Sequence, residues 1–185
     1  MLEIATLMHD CAPAVAPDTL RAIIRTESGF DPLALHINGN VRLKTPPRTV
    51  SEAISWSGWL IGRGYSIDLG LMQVNSRNLA RLRMTLAQAF DPCWNIRAGA
   101  TLLAQEYRRA ARVHGPGTGA LLYAISAYNT GNWQAGLRNG YVARVALNAG
   151  TATAQPRRHN EPATADTAIT GFGGGYRSSP SPRSP

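Results

Sequence analysis

One glutamate in this sequence has the surroundings of an acid catalyst. Glu27 shares a predicted helix face with Leu20 and Ile24, at spacings of seven and three residues. Partial burial on such a face raises the pKa of a carboxyl group, and the negative end of the helix dipole raises it further. Positions three and four residues later hold Phe30 and Asp31, so no cation follows to neutralise the carboxylate. A carboxylic acid that stays protonated near neutral pH suits general-acid cleavage of a glycosidic bond, although an ordinary surface glutamate is the alternative.

The helix that must position Glu27 has clear ends. It is predicted to begin near Asp18, with Asp18 or Thr19 as its cap, and to end at Ser28 because Gly29 is a natural C-terminal cap. Residues 33–48 lack periodicity and are predicted to form a loop. Apolar spacing and capping boxes predict further helices over residues 4–11, 49–60, 85–90, 95–113, 121–130 and 141–145. Strand signals are weak, and a short hairpin near residues 33–48 or 65–75 is the most that the pattern allows.

The chain divides after Gly150. The last 35 residues contain five of the 12 prolines and no Leu, Val or Met. Such a segment cannot bury enough apolar surface to offset its ordering entropy. We therefore predict a folded domain over residues 1–150 and a disordered Pro/Gly/Ser/Thr-rich tail over residues 151–185.

The charge of the body indicates an anionic partner. The formal net charge is +8, and residues 151–185 contribute only +2, from four Arg against two acids. A basic body suits nucleic acid, an acidic lipid surface or a cell-wall polymer, and biased codon usage is the alternative because 18 Arg accompany a single Lys. No aromatic–basic interleaving supports nucleic acid as the partner. The apolar stretch 120–127 is too short to span a bilayer, and the start of the chain lacks a standard signal peptide.

Three motifs that follow one another along the chain favour a catalytic role for Glu27 over that of an ordinary surface residue. They are Thr26-Glu27-Ser28-Gly29-Phe30, Gly70-Leu71-Met72-Gln73-Val74-Asn75 and Ala127-Tyr128-Asn129-Thr130-Gly131. Together they resemble the signature motifs of the family 1 lysozyme-like lytic transglycosylases, which carry an SLT domain. The resemblance covers about residues 1–148. It implies a mainly α, lysozyme-like (goose-type or SLT) helical domain with at most a small β-hairpin, and it implies no cofactor or metal.

Further segments resemble one subgroup of that family. Cys11-Ala12-Pro13, Asp91-Pro92-Cys93-Trp94-Asn95 and Asn139-Gly140-Tyr141-Val142 are similar to the VirB1-like transglycosylases of type IV secretion and conjugation systems. The resemblance implies that peptidoglycan glycan strands are the substrate and that components of a secretion system are partners. It also implies a periplasmic location.

The resemblance implies roles around the glycosidic bond. Glu27 would protonate the oxygen between N-acetylmuramic acid and N-acetylglucosamine and then act as base on the muramic C6 hydroxyl, closing a 1,6-anhydro ring. Tyr128 would orient Glu27 through its hydroxyl, and Asn129 would be a polar contact. Ser28 would hydrogen-bond near the carboxylate or to an acetamido group of the substrate, with a helix-end cap as its alternative role.

The second motif would face the sugars. Gly70 would let the backbone pass close to the glycan. Met72 would offer an apolar wall, with core packing as the alternative, and Gln73 would bind hydroxyl and acetamido groups. Trp133 would stack on a sugar ring.

Asp68 and Asp31 are the two candidates for a second carboxylate near the site. Asp68, next to the second motif, is the better candidate for a second carboxylate, which would allow a hydrolytic muramidase mechanism as in goose-type lysozymes. Asp31 is most simply a turn residue.

Cys11 and Cys93 fit a disulfide between the first helix and the start of the long one, and two buried free thiols are the alternative. A non-catalytic peptidoglycan-binding scaffold is the third functional hypothesis, and the intact Glu27 argues against it.

Overall fold

The protein is mainly helical, as predicted. The computed structural model describes residues 4–39 and 41–150, and the predicted tail over residues 151–185 lies outside them. The helices of the described part are α1 (Ile4–Cys11), α2 (Pro17–Ser28), α3 (Val50–Gly62), α4 (Leu79–Leu82), α5 (Leu86–Ala89), α6 (Pro92–His114), α7 (Thr118–Thr130), α8 (Ala135–Arg138) and α9 (Tyr141–Gly150). A single 3-10 turn (Ser76–Asn78) precedes α4.

A small antiparallel sheet forms one wall of the fold. Its strands are β1 (Leu35–Ile37), β2 (Ile67–Leu69) and β3 (Val74–Asn75), in the order β1-β2-β3. Asp68 in β2 lies opposite His36 on one side and Asn75 on the other. Both segments in which a hairpin was allowed therefore contribute, because β1 comes from residues 33–48 and the β2–β3 hairpin from residues 65–75.

Helix α2 ends where the sequence predicts but begins differently. Gly29 adopts the left-handed conformation (φ 60°) and its N–H donates to the last turn. At the other end Pro17 occupies the first turn and Ala16 is the N-cap, with no side-chain cap. The prediction that Asp18 or Thr19 caps the helix is wrong because Pro17, whose ring fixes a helical φ, starts the helix before them.

The core lies where α2 and α6 meet the surrounding helices. Leu20, Ile23 and Ile24 of α2 are fully buried, as are Ile96 and Leu103 of α6. Helix α7 packs along α6, and α9 packs against α2. The contact between α9 and α2 matters most for the site, because it places α9 beside Glu27.

A disulfide joins the first helix to the longest one. Cys11 at the end of α1 is bonded to Cys93 in the first turn of α6, and their Cα atoms are 5.3 Å apart. The bond closes a loop with a sequence separation of 82 residues. A cross-link over so long a loop restricts the unfolded chain strongly, so we expect it to stabilise the domain.

We predict that the Cys11→Ala/Cys93→Ala variant loses roughly 2–4 kcal/mol of unfolding free energy, because the unfolded chain regains the entropy of the opened loop. Urea unfolding with and without dithiothreitol measures this loss. Reductant should destabilise the wild-type protein and leave the variant unaffected. Wild-type stability that is indifferent to reductant would show that the bond contributes nothing.

Candidate active site

A wide groove of about 1300 Å³ crosses the molecule between the sheet and the helices. The end of α2, the sheet, α6 and the end of α7 all contribute to its walls. The lining includes Glu27, Ser28, Asp31, Leu35, His36, Asn38, Tyr65, Asp68, Gln73, Asn75, Arg77, Asn78, Arg81, Gln105, Glu106, Tyr128 and Asn129. Among the described residues, the three predicted motifs therefore meet along one groove.

Glu27 is partly buried at the wall of this groove. Burial raises the pKa of its carboxyl group from the ordinary value of 4.5 to about 7. The negative charge of Asp68 raises it as well, whereas a hydrogen bond from Tyr141 and the charge of Arg144 lower it. The raised pKa agrees in direction with the expectation from the helix face. No cation lies three or four residues after Glu27 in the sequence, but the fold brings the charge of Arg144 in α9 close enough to act on its carboxyl group.

Tyr141 is the residue that orients Glu27. Its hydroxyl donates a hydrogen bond to Glu27 Oε1 at 2.5 Å, and its side chain is buried. Burial raises the pKa of Tyr141, and the neighbouring Glu27 raises it further, so the phenol keeps its proton and remains a donor. In the sequence, Tyr141 belongs only to a subgroup motif and to a helix pattern, and neither gives it a role beside Glu27. The signal that could have found it is its buried helix position directly after Asn139-Gly140, where the Asn139 side chain accepts its N–H.

Tyr128 lines the groove but has another partner. Its hydroxyl donates to the backbone carbonyl of Met72 at 2.6 Å. The prediction that Tyr128 orients Glu27 through its hydroxyl is therefore wrong, since that proton is already committed to the backbone of the second motif. Glu27 and Asp68 are close enough for their charges to raise the pKa of Tyr128, although burial is the main cause of the rise.

Gly70 and Met72 serve packing rather than sugar contact. Gly70 has φ 71°, and a Cβ there would lie 2.5 Å from Asn95 Nδ2 and 2.6 Å from the carbonyl oxygen of Ala89. The close approach that requires glycine is thus to Asn95 and Ala89 of the protein itself, whereas we expected an approach to the glycan. Met72 is fully buried against Gly99, where a Cβ would be 2.6 Å from the Met72 side chain. The predicted apolar wall is wrong, and the alternative of core packing holds for Met72.

Gln73 and Asn129 offer amide groups to the groove. Gln73 has a left-handed backbone (φ 47°), and its Nε2 donates to the carbonyls of Gly70 (2.9 Å) and Ala34 (3.2 Å). These bonds fix the amide and leave its oxygen unpaired among the described residues, so it can accept from a ligand. Asn129 is exposed at the groove.

Ser28 ties α2 to the second motif. Its hydroxyl lies 2.9 Å from the carbonyl of Leu71 and 3.1 Å from that of Ile24. Both partners are backbone carbonyls, so neither hydrogen bond joins Ser28 to the Glu27 carboxyl group. Ser28 instead acts at the end of α2, where its hydroxyl holds the loop of the second motif against the helix.

Asp68 faces the groove from the middle of the sheet. Its Oδ1 accepts from Asn75 Nδ2 at 2.6 Å and its Oδ2 from Asn38 Nδ2 at 3.0 Å. The carboxylate is thus held between two neutral side-chain amides. Asp31 accepts the N–H of Leu33 at 2.9 Å, which is the turn role predicted for it.

Trp133 lies away from the groove. It packs in an aromatic cluster with His114 and Tyr123, at centroid distances of 5.3 and 6.3 Å. The expectation that it stacks on a sugar is wrong, because Trp133 packs against His114 and Tyr123 and does not line the groove. Over residues 4–39 and 41–150, no group of three or more His, Cys, Asp or Glu residues is arranged to hold a metal ion.

Comparison with known proteins identifies the family of this fold and groove. The family model of the transglycosylase SLT domain matches residues 5–148, so this chain belongs to the SLT transglycosylase family. The resemblance predicted from the motifs is confirmed. No solved structure is a significant match to the chain.

The similar curated proteins are VirB1 proteins. The type IV secretion system protein virB1 of Brucella suis biovar 1 is 40% identical over 159 residues, covering 83% of this chain and 66% of the relative. Protein virB1 of Agrobacterium fabrum is 38% identical over 152 residues, covering 77% of this chain and 58% of the relative. The chain thus spans less than two-thirds of the length of these relatives. None of the helices in the described part of the chain has the length and apolar character needed to cross a membrane.

We predict that the wild-type protein loses stability as the pH rises from about 4.5 to above 7, relative to Glu27→Gln. The folded state raises the pKa of Glu27, so it binds a proton in this range that the unfolded chain has released. The difference should reach about 3 kcal/mol, from roughly 1.4 kcal/mol per pKa unit. Denaturant unfolding of both proteins at several pH values measures it. Parallel pH profiles would show that Glu27 ionises normally.

Replacing Tyr141 with Phe should raise the pKa of Glu27 above its wild-type value, because the lost hydrogen bond stabilised the carboxylate. Arg144→Gln should shift it in the same direction by a smaller amount. NMR titration of the 13C-labelled glutamate carboxyl follows both shifts. An unchanged or lowered pKa in Tyr141→Phe would contradict the proposed role of this hydroxyl.

Proposed function

We propose that this protein is a peptidoglycan lytic transglycosylase that cleaves the β-1,4 bond between N-acetylmuramic acid and N-acetylglucosamine. The observation that carries the proposal is Glu27, a carboxyl group with a pKa of about 7 at the wall of a groove of about 1300 Å³ that many polar side chains line. Membership of the SLT family supports the same reaction class. Such a group is half protonated near neutral pH, which suits a residue that must give and then take a proton.

The proposed reaction uses Glu27 twice. Glu27 donates its proton to the glycosidic oxygen as the bond from that oxygen to muramic C1 breaks, and the N-acetylglucosamine fragment leaves with a new hydroxyl. The resulting carboxylate then accepts the proton of the muramic C6 hydroxyl while O6 bonds to C1. No water is consumed, and Glu27 ends protonated as it began.

Tyr141 supports both steps without exchanging a proton. Its hydroxyl donates to Glu27 Oε1, so it stabilises the carboxylate that exists between the two steps and leaves Oε2 for the substrate. The charge of Arg144 acts in the same sense. Gln73 and Asn129 then supply amides for the hydroxyl and acetamido groups of the sugars.

The biological context follows from the relatives. The Brucella protein is named as a type IV secretion system protein, and we propose that this chain likewise opens the wall locally for a secretion or conjugation apparatus. Glycan strands of peptidoglycan are its partner, together with components of that apparatus. The disulfide between Cys11 and Cys93 suits an oxidising compartment, which supports a periplasmic location.

A hydrolytic muramidase of the same fold is the second candidate, and Asp68 favours it. This carboxylate faces the groove and is fixed by Asn38 and Asn75. A carboxylate in such a position can act as a base that activates water, which would give reducing ends instead of anhydro ends. A non-catalytic scaffold would have no need of the buried, hydrogen-bonded Glu27.

Mass spectrometry of the products from purified peptidoglycan distinguishes these reactions, with Asp68→Asn as the matched variant. We expect muropeptides that end in 1,6-anhydro-muramic acid from both proteins, because the C6 hydroxyl replaces water and Asp68 is not the acid or base. Asp68→Asn keeps the size of the side chain and removes its charge, and it retains one of the two acceptor oxygens that Asn38 and Asn75 use.

Two results would contradict the proposal. Products heavier by one water, lost in Asp68→Asn, would establish the muramidase. Wall binding without soluble products from either protein would support the scaffold.

A further inference from the structure

One end of the groove carries two arginines that the proposed reaction does not use. Arg77 lies in the 3-10 turn after β3, and Arg81 lies in α4 immediately downstream. Both line the same groove as Glu27 and both are exposed to solvent. The sugars of a glycan strand are neutral in their hydroxyl and acetamido groups, so cleavage of the sugar backbone alone gives no reason for two cations here.

Arg77 is anchored by its backbone and free at its side chain. Its N–H donates to Asn75 Oδ1 at 3.0 Å, and Asn75 Nδ2 donates to Asp68 Oδ1 at 2.6 Å. The backbone of Arg77 is therefore fixed to the wall of the groove through one amide. Within the described part of the chain its guanidinium makes no hydrogen bond or ion pair, so all of its donors are available to a ligand.

Arg81 is pre-positioned by neutral partners. Its Nη1 donates to Gln105 Oε1 at 2.8 Å, and its Nη2 lies 3.3 Å from Asn78 Oδ1. Neither partner cancels its charge. The acid lining this end, Glu106, is ion-paired with Arg109 at 2.7 Å. Arg77 and Arg81 are therefore two guanidinium groups that line the groove without an ion pair among the described residues.

Guanidinium groups match carboxylates, because two parallel N–H donors meet two oxygens. In peptidoglycan the carboxylates belong to the stem peptides, which hang from the lactyl group of N-acetylmuramic acid, beside the bond that Glu27 is proposed to cleave. We propose that Arg77 and Arg81 bind stem-peptide carboxylates and so make the protein select peptide-bearing strands. This inference rests on the proposed function and names the form of the substrate.

The test compares two forms of one substrate. Soluble, uncross-linked glycan strands with intact stem peptides are used directly or after their carboxylates have been converted to amides, which keeps the peptides and removes the charge. Release of 1,6-anhydro products at low substrate concentration gives kcat/KM for each form. We expect the wild-type protein to prefer the charged strands by about tenfold or more, the usual effect of one or two charged hydrogen bonds.

Arg77→Gln should lower this preference towards one by slowing cleavage of the charged strands, and Arg81→Gln should lower it further in the double variant. Because the Arg77 side chain has no partner in the described structure, its loss should not affect the melting temperature. Arg108→Gln, which removes an exposed charge of α6 outside the groove, is the control and should keep the wild-type ratio.

The outcomes separate the two proposals. A wild-type ratio near one, or a ratio unchanged in Arg77→Gln and the double variant, overturns the selection of stem peptides and leaves the transglycosylase intact. Failure of the wild-type protein to release anhydro products from either form overturns the proposed function, and this inference with it.

Discussion

The site depends on keeping one carboxyl group largely out of water while leaving it open to a groove. Helix α2 alone cannot do this, because Glu27 lies in its last turn. Helix α9 completes the enclosure: Tyr141 donates to the carboxyl, Arg144 approaches it, and Asn148 donates to Thr26 at 2.8 Å one residue away. Burial outweighs the hydrogen bond and the cation in setting the pKa of Glu27, and the docking of α9 on α2 brings both of these partners to the carboxyl group.

A second constraint shapes the opposite side of the groove. The buried side chain of Asn95 accepts the N–H of Met72 at 2.7 Å and donates to the carbonyls of Leu69 and Ala89 at 2.8 and 2.7 Å. One amide thus satisfies three buried backbone groups and fixes the turn between β2 and β3. The left-handed Gly70 is the consequence, since only glycine fits against this amide. Tyr128 and Ser28 add further bonds to the same turn.

Local sequence patterns predicted the features that depend on local physics. The apolar spacing along α2 and its glycine cap follow from neighbours within one or two turns. The same spacing predicted the direction of the Glu27 pKa shift, although Asp68, Tyr141 and Arg144, which also act on it, come from distant parts of the chain. The motifs located the groove, but they could not separate packing from ligand contact. They predicted that Gly70 and Met72 face the sugar, whereas Gly70 packs against Asn95 and Met72 packs against Gly99. Helices α4 and α8, with one turn each, are too short for a periodic signal. The Tyr141 contact spans 114 residues, and no local pattern reports such a pairing.

The most direct test of the role of Glu27 is the rate at which Glu27→Gln releases soluble fragments from peptidoglycan, with its melting temperature and wall binding measured alongside. We predict a loss of about 100-fold or more, the scale of a missing general acid, in a protein that still folds and binds the wall. Substantial cleavage by a folded Glu27→Gln protein would contradict it, because no other carboxyl group in the described groove is both buried and held by a tyrosine from α9.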